Sequence, residues 1–122
     1  MPNVNYETGK TICFVNPFTD KVTGERKAYI TLWTTSAGVQ PKFVVSATEP
    51  LFASFQEGAT LHVQQHGYTN VIDRKTGLPR QPQYEMNNGK RSTYMKQLIQ
   101  VDLTNAWIEA PVRIPGQVIS LD

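Results

Sequence analysis

Cysteine is nearly missing from the chain: Cys13 stands alone. No intrachain disulfide can form, and a cysteine-based zinc site has too few ligands. Cys13 therefore reads as a small buried apolar side chain rather than a catalytic thiol. Long apolar runs are missing too. Segments such as Phe43–Ala47 fall far short of the roughly 20 residues that span a bilayer. The polar opening, residues 1–10, lacks the apolar stretch of a signal peptide, so a cytoplasmic protein with no membrane partner is expected. The only two histidines, His62 and His66, would meet on a helix but stand about 13 Å apart along a strand, which argues against a metal pair. There is no glycine-rich phosphate loop, no Gly-x-Ser-x-Gly, no carboxylate pair beside a base and no zinc-ligand set. The expectation is a non-enzyme that uses neither cofactor nor metal.

What the chain does contain is material for one core. Its 122 residues, 39% of them hydrophobic, suit a single domain over 1–122, with a core at about 10–110 and a C-terminal arm at 111–122. Two Trp, five Tyr and five Phe are too many for a disordered chain. Net charge is only +2, but it is unevenly placed. Between Asp73 and Gln97, six basic side chains face two acidic ones, a net of +4, while the remainder of the chain sums to −2. Such a basic arm on a near-neutral body suits a polyanion.

Period-two patterning predicts strands over Thr11–Asn16, Lys27–Thr35 and Lys42–Ala47. The first two flank a turn at Asp20 and Gly24 and read as a long hairpin. Ala28, Ile30 and Leu32 are assigned to the core, which places Tyr29 and Trp33 together on the opposite face. Phe14 falls in register with Ile12 and is expected in the core. Thr48 can cap a helix of one and a half to two turns that buries Leu51, Phe52 and Phe55 and ends at Gly58. A fourth strand is expected over Thr60–Tyr68, extending toward Ile72, with a bulge or close backbone approach at Gly67. Asp73–Gly89 reads as a long excursion holding at most a loose hairpin. A fifth strand follows over Leu98–Leu103, with Ala106–Ile108 as its extension. This order predicts an all-β fold: a five-stranded OB-fold barrel, a short helix between the third and fourth strands, and a long excursion between the fourth and fifth.

The stretch Glu49-Pro-Leu-Phe-Ala-Ser-Phe-Gln-Glu-Gly-Ala-Thr-Leu-His-Val-Gln, followed by the basic excursion and Leu98-Ile-Gln-Val-Asp-Leu, resembles the second half of single-stranded-DNA-binding proteins of the bacterial and phage type. The resemblance implies a protein that protects or organises single-stranded DNA with little sequence specificity during replication, recombination or repair. Cellular members end in a glycine- and proline-rich tail with an acidic tip. Here Gln117–Asp122 offers one terminal acid, so a phage, plasmid or primosomal relative fits better, located in a bacterial cell or a phage-infected host.

Binding a single strand requires cations for phosphates and flat rings for bases, each stacked base contributing roughly 1–3 kcal/mol. Tyr29 and Trp33, about 13 Å apart on one strand face, suit two stacking stations. Lys21, Arg26 and Lys27 lie at the first hairpin's turn. Arg74, Lys75, Arg80, Tyr84, Lys90, Arg91, Tyr94 and Lys96 interleave cations and rings along the excursion. Trp107 is assigned to a barrel end or a dimer contact instead. A homodimer or homotetramer is expected, since joined sites gain affinity. Two other functions use the same surface: a protein-interaction adaptor in a replication or phage complex, and an OB-fold that binds RNA or an oligosaccharide.

Overall fold

The computed structural model describes residues 4–33, 38–87 and 89–111. The C-terminal arm after Pro111 and part of the turn after Trp33 lie outside the described residues.

The chain is all-β, its sheet curled strongly into a half-barrel. Alternation of apolar and polar residues sets the first three strands, β1 (Lys10–Thr19), β2 (Arg26–Leu32) and β3 (Val39–Ser46), which pair antiparallel in sequence order. As expected, Ala28, Ile30 and Leu32 face inward and are buried. They pack with Ile12, Phe43 and Val45 and with Phe55, Ala59, Leu61 and Val63 from the following segment. Burying each large aliphatic side chain of this set contributes about 1.5–3 kcal/mol.

The helix expected after Thr48 is a single 3-10 turn, Phe52–Ser54. Its bonds span three residues: the Phe52 N–H donates to Glu49 O at 2.9 Å and the Ser54 N–H to Leu51 O at 2.9 Å. Leu51, not Thr48, occupies the N-cap position, and no side chain caps the turn. Without a cap, so short a segment cannot offset the cost of nucleating an α-helix, and the tighter turn suffices to bring Phe55 edge-on to Phe43. Gly58, at φ +87°, donates its N–H to Ile12 O rather than closing a helix.

Five strands were expected, and eight are present among the described residues. The fourth is interrupted at 63–67, giving β4 (Thr60–His62) and β5 (Tyr68–Asn70), because His66 takes φ 65° and the chain turns there. Gly67 is the close approach anticipated for it: a Cβ at this position would lie 2.8 Å from Gln64 O. The excursion is more regular than a loose hairpin. Its second half is β6 (Gln83–Asn87) paired antiparallel with the start of β7 (Lys90–Val101), a strand that begins eight residues before the expected Leu98. β8 (Trp107–Glu109) is a separate strand that pairs with β4, not an extension of β7. Between them Asp102 accepts the Thr104 N–H at 2.9 Å and Asn105 adopts φ 58°, reversing the chain.

The path through the sheet runs β5-β7-β3-β2-β1-β4-β8, with β6 on the side of β7. β3 and β7 are parallel, Val39 to Lys42 matching Met95 to Leu98. Segment 60–70 therefore pairs with β1 at one end and with β7 at the other. Two distant parts of the sheet are joined by five residues, and the core lies within the curl. Among the described residues no helix is long and apolar enough to cross a membrane.

Candidate functional site

The face of the sheet opposite the core carries the candidate site. On β1 a bulge at Cys13 shifts the register, Ile12 opposing Leu32 and Phe14 opposing Thr31. The extra residue turns Phe14 outward, where it is 46% exposed, and Val15 takes the inward position against the core. The core assignment of Phe14 is thus corrected. Phe14, Asn16 and Phe18 on β1 share this outer face with Tyr29 and Thr31 on β2 and with Gln40, Lys42 and Val44 on β3.

The β6–β7 hairpin overhangs the outer face and closes a cleft of about 430 Å³. Its walls include Phe14 and Trp33 from the sheet, and Glu85, Tyr94 and Lys96 from the hairpin. Three of these rings remain open: Phe14 and Trp33 are close to half exposed and Tyr94 is 39% exposed. Trp33 and Tyr94 meet edge to face at 6.1 Å, and the Lys96 ammonium stands 5.6 Å from the Phe14 ring. Thr31 and Gln40 are buried at the floor, outer-face polar residues that the hairpin covers. Gln40 accepts a hydrogen bond from Lys96 and donates one to Cys13 Sγ at 3.8 Å. Cys13 is a partly exposed wall of the cleft, not the buried side chain expected. Burial raises its thiol pKa above the ordinary value, opposed by the nearby Lys96 charge. Burial also pushes the Lys96 ammonium below its ordinary range, while Glu85 acts to hold its proton.

A second, smaller cleft of about 200 Å³ adjoins the first and shares Glu85 and Lys96 with it. Tyr29, Lys42 and Tyr84 line it. Lys42 and Glu85 form a direct ion pair across the boundary, and the Lys42 ammonium lies 4.5 Å from the Tyr29 ring centroid. Tyr29 is stacked on Phe18 at 4.8 Å. It therefore shares the outer face with Trp33, as anticipated, but stands in the neighbouring cleft with a ring already against one face.

The remaining candidate residues divide by location. Arg91 lies over the Tyr84 ring at 4.3 Å, and Lys90 is exposed at the hairpin tip beside it. Arg74, Lys75 and Arg80 border a separate depression on the loop closed by the Ile72–Pro79 bridge, apart from both clefts. At the β1–β2 turn, Lys27 is tied to Asp20 at 3.2 Å and Arg26 donates to Thr19 Oγ1 at 3.2 Å. The Asp20 carboxyl is held below its usual range by the Thr23 and Val22 N–H groups and then by Lys27. Lys21 is exposed at this tip.

Trp107 stacks on His62 at 4.0 Å, with His62 Nε2 2.9 Å from Glu109 Oε1. This pair belongs to the β4–β8 end and not to the clefts.

Sequence reasoning missed Phe14, Gln40 and Lys42. Lys42 was within reach, because its alternation with Phe43 and Val45 assigns it to the face that holds Tyr29. Phe14 was hidden by the bulge, and Gln40 by a hairpin contact distant in sequence.

Comparison of the chain with protein families, with curated sequences and with solved structures gives no match. The site is therefore read from its own geometry.

Proposed function

We propose that the chain binds single-stranded DNA along the outer face of β1, β2, β3 and β7, beneath the β6–β7 hairpin, with little sequence specificity and no chemistry of its own. The carrying observation is the larger cleft, where three open rings, Phe14, Trp33 and Tyr94, flank the Lys96 ammonium. Rings accept any base by stacking, and cations hold the backbone, so the combination suits a strand without selecting its sequence. A duplex hides the faces of its bases and has nothing to offer these rings.

The pairing pattern supports an OB-type barrel beneath this surface. Taking β4 and β5 as halves of one fourth strand, β1 neighbours β2, β2 neighbours β3, β3 runs parallel to β7, and β7 returns through the fourth strand to β1. Taken that way, the pairing supports a five-stranded Greek-key barrel. OB-folds bind ligands on the face of strands two and three and between the loops joining strands one to two and four to five. Under the proposed reading these correspond to β2, β3, the Asp20 turn and the hairpin.

Titration of labelled oligo-dT, duplex DNA and RNA at two salt concentrations, followed by tryptophan fluorescence, tests the proposal. Oligo-dT is expected to quench the signal at low salt and to weaken steeply as salt rises, because bound phosphates release counterions. Trp33→Ala should weaken oligo-dT binding by roughly 1–3 kcal/mol with the melting temperature little changed. Absence of quenching by every oligonucleotide at low salt refutes the function. A salt-insensitive protein partner on the same face would establish the adaptor reading instead.

A further inference from the structure

We propose that the Glu85 carboxylate stands in for a nucleic-acid backbone phosphate, between Lys42 and Lys96, and that a bound single strand displaces it. Three strands converge at this point: Glu85 comes from β6, Lys42 from β3 and Lys96 from β7. Glu85 is ion-paired with Lys42, and Glu85 and Lys96 are walls common to both clefts. The carboxylate is the one acidic group lining either cleft among the described residues. It sits where the two clefts meet, with the open rings of Phe14, Trp33 and Tyr94 on one side and the exposed Tyr84 on the other.

The neighbours of each lysine define what could replace it. Lys96 stands 5.6 Å from Phe14, in the cleft that also holds Trp33 and Tyr94. Lys42 stands 4.5 Å from Tyr29, in the cleft that also holds Tyr84. An anion at the Glu85 carboxylate thus has Lys42 in direct contact and Lys96 as a fellow wall of both clefts, and each lysine stands near a ring. A phosphodiester linking two nucleotides has this layout, one negative charge between two flat bases. Both anions present oxygens that accept from ammonium groups, but only the diester brings bases to the rings.

The same electrostatics explain why an acid belongs there in the unliganded protein. Lys42 and Lys96 repel each other, and Lys96 is partly desolvated. A carboxylate offsets both terms and keeps the hairpin against the sheet until a strand arrives. The inference rests on the single-strand reading of the larger cleft, and it adds a position and a competitor to it.

Glu85→Gln keeps the shape and removes the competing charge. Its affinity for oligo-dT at low salt is expected to rise about fivefold, the size of one well-placed ion pair no longer broken on binding. Adding Lys42→Met to that variant should cancel the gain. Wild-type protein supplies a second readout that does not depend on the variant folding. Carbodiimide-driven amine coupling to Glu85, quantified by peptide mass spectrometry, should increase when oligo-dT lacking terminal phosphate is added. Unchanged or weaker binding by Glu85→Gln, with wild-type protein still binding, overturns the proposal and leaves the function standing. Unchanged or reduced coupling at Glu85 on saturation with oligo-dT overturns it likewise. Failure of the wild-type protein itself to bind any oligonucleotide overturns both.

Discussion

At the scale of single residues, Tyr68 exposes a tension between burial and chemistry. Its hydroxyl is buried with no hydrogen-bond partner among the described residues, and the Lys10 ammonium lies 5.6 Å from its ring. Burial, and secondarily the Glu7 charge, push its pKa up to about 12. In the unfolded chain the same phenol titrates near 10. Between these values the native state holds the proton and the unfolded state has lost it. Through this phenol, stability is independent of pH below about pH 10 and declines as pH rises toward 12. Tyr68→Phe removes the orphan hydroxyl, so it should raise stability by about 1 kcal/mol and flatten the alkaline decline. Urea denaturation midpoints at neutral pH and near pH 11 measure both effects. Tyr68 also marks where residue-level reading of the sequence stops. Period two places a side chain on a face, as it did for Ala28, Ile30 and Tyr29, but whether a hydroxyl finds a partner depends on chain brought in from elsewhere.

At the scale of elements, the bulge in β1 decides which residues the site contains. Were Phe14 in the core, as strict alternation from Ile12 implies, its truncation would cost about 3–5 kcal/mol. Turned outward and nearly half exposed, it belongs with surface positions, and Phe14→Ala should lower stability by about 1 kcal/mol or less. Oligo-dT affinity should fall in the same variant, because a ring is removed from the cleft. Thermal melts and titration separate the two quantities. Elements were legible where a pattern is local: the β1–β2 hairpin around Asp20 and Gly24, the core stripe of β2, and the close approach at Gly67. They were illegible where a single residue breaks the pattern. Cys13 gives no sign of being the extra residue of a bulge. The Thr48–Gly58 segment has apolar spacing suited to a helix, yet its N-cap position falls to Leu51, which has no side chain to cap with.

At the scale of the whole molecule, the hairpin that overhangs the proposed binding surface uses a part of the chain that the core does not. Neither the buried core nor the partly buried hydrophobics against it include any residue from 69 to 98. Tyr84 and Met95 face each other across the β6–β7 pair, so the overhanging tip can be excised at its base. Replacing Glu85–Tyr94 by an Asn-Gly turn should leave the melting temperature within a few degrees of wild type, since a change of about 1 kcal/mol shifts it by that order. The same change should remove most oligo-dT affinity. The all-β class was readable from spacing and turn residues alone, whereas the division into eight strands was not. The covering of the outer face was not, because the Lys42–Glu85 contact joins residues far apart in sequence and neither has a pattern that names the other. One consequence concerns the lone thiol. Because Cys13 borders the larger cleft, a maleimide attached there puts one dye on each chain, in the wall of the groove, with no engineered cysteine. The protein arrives with its own reporter, and the rate at which that thiol is alkylated, slow for a thiol whose pKa is raised, becomes a footprint of whatever occupies the groove.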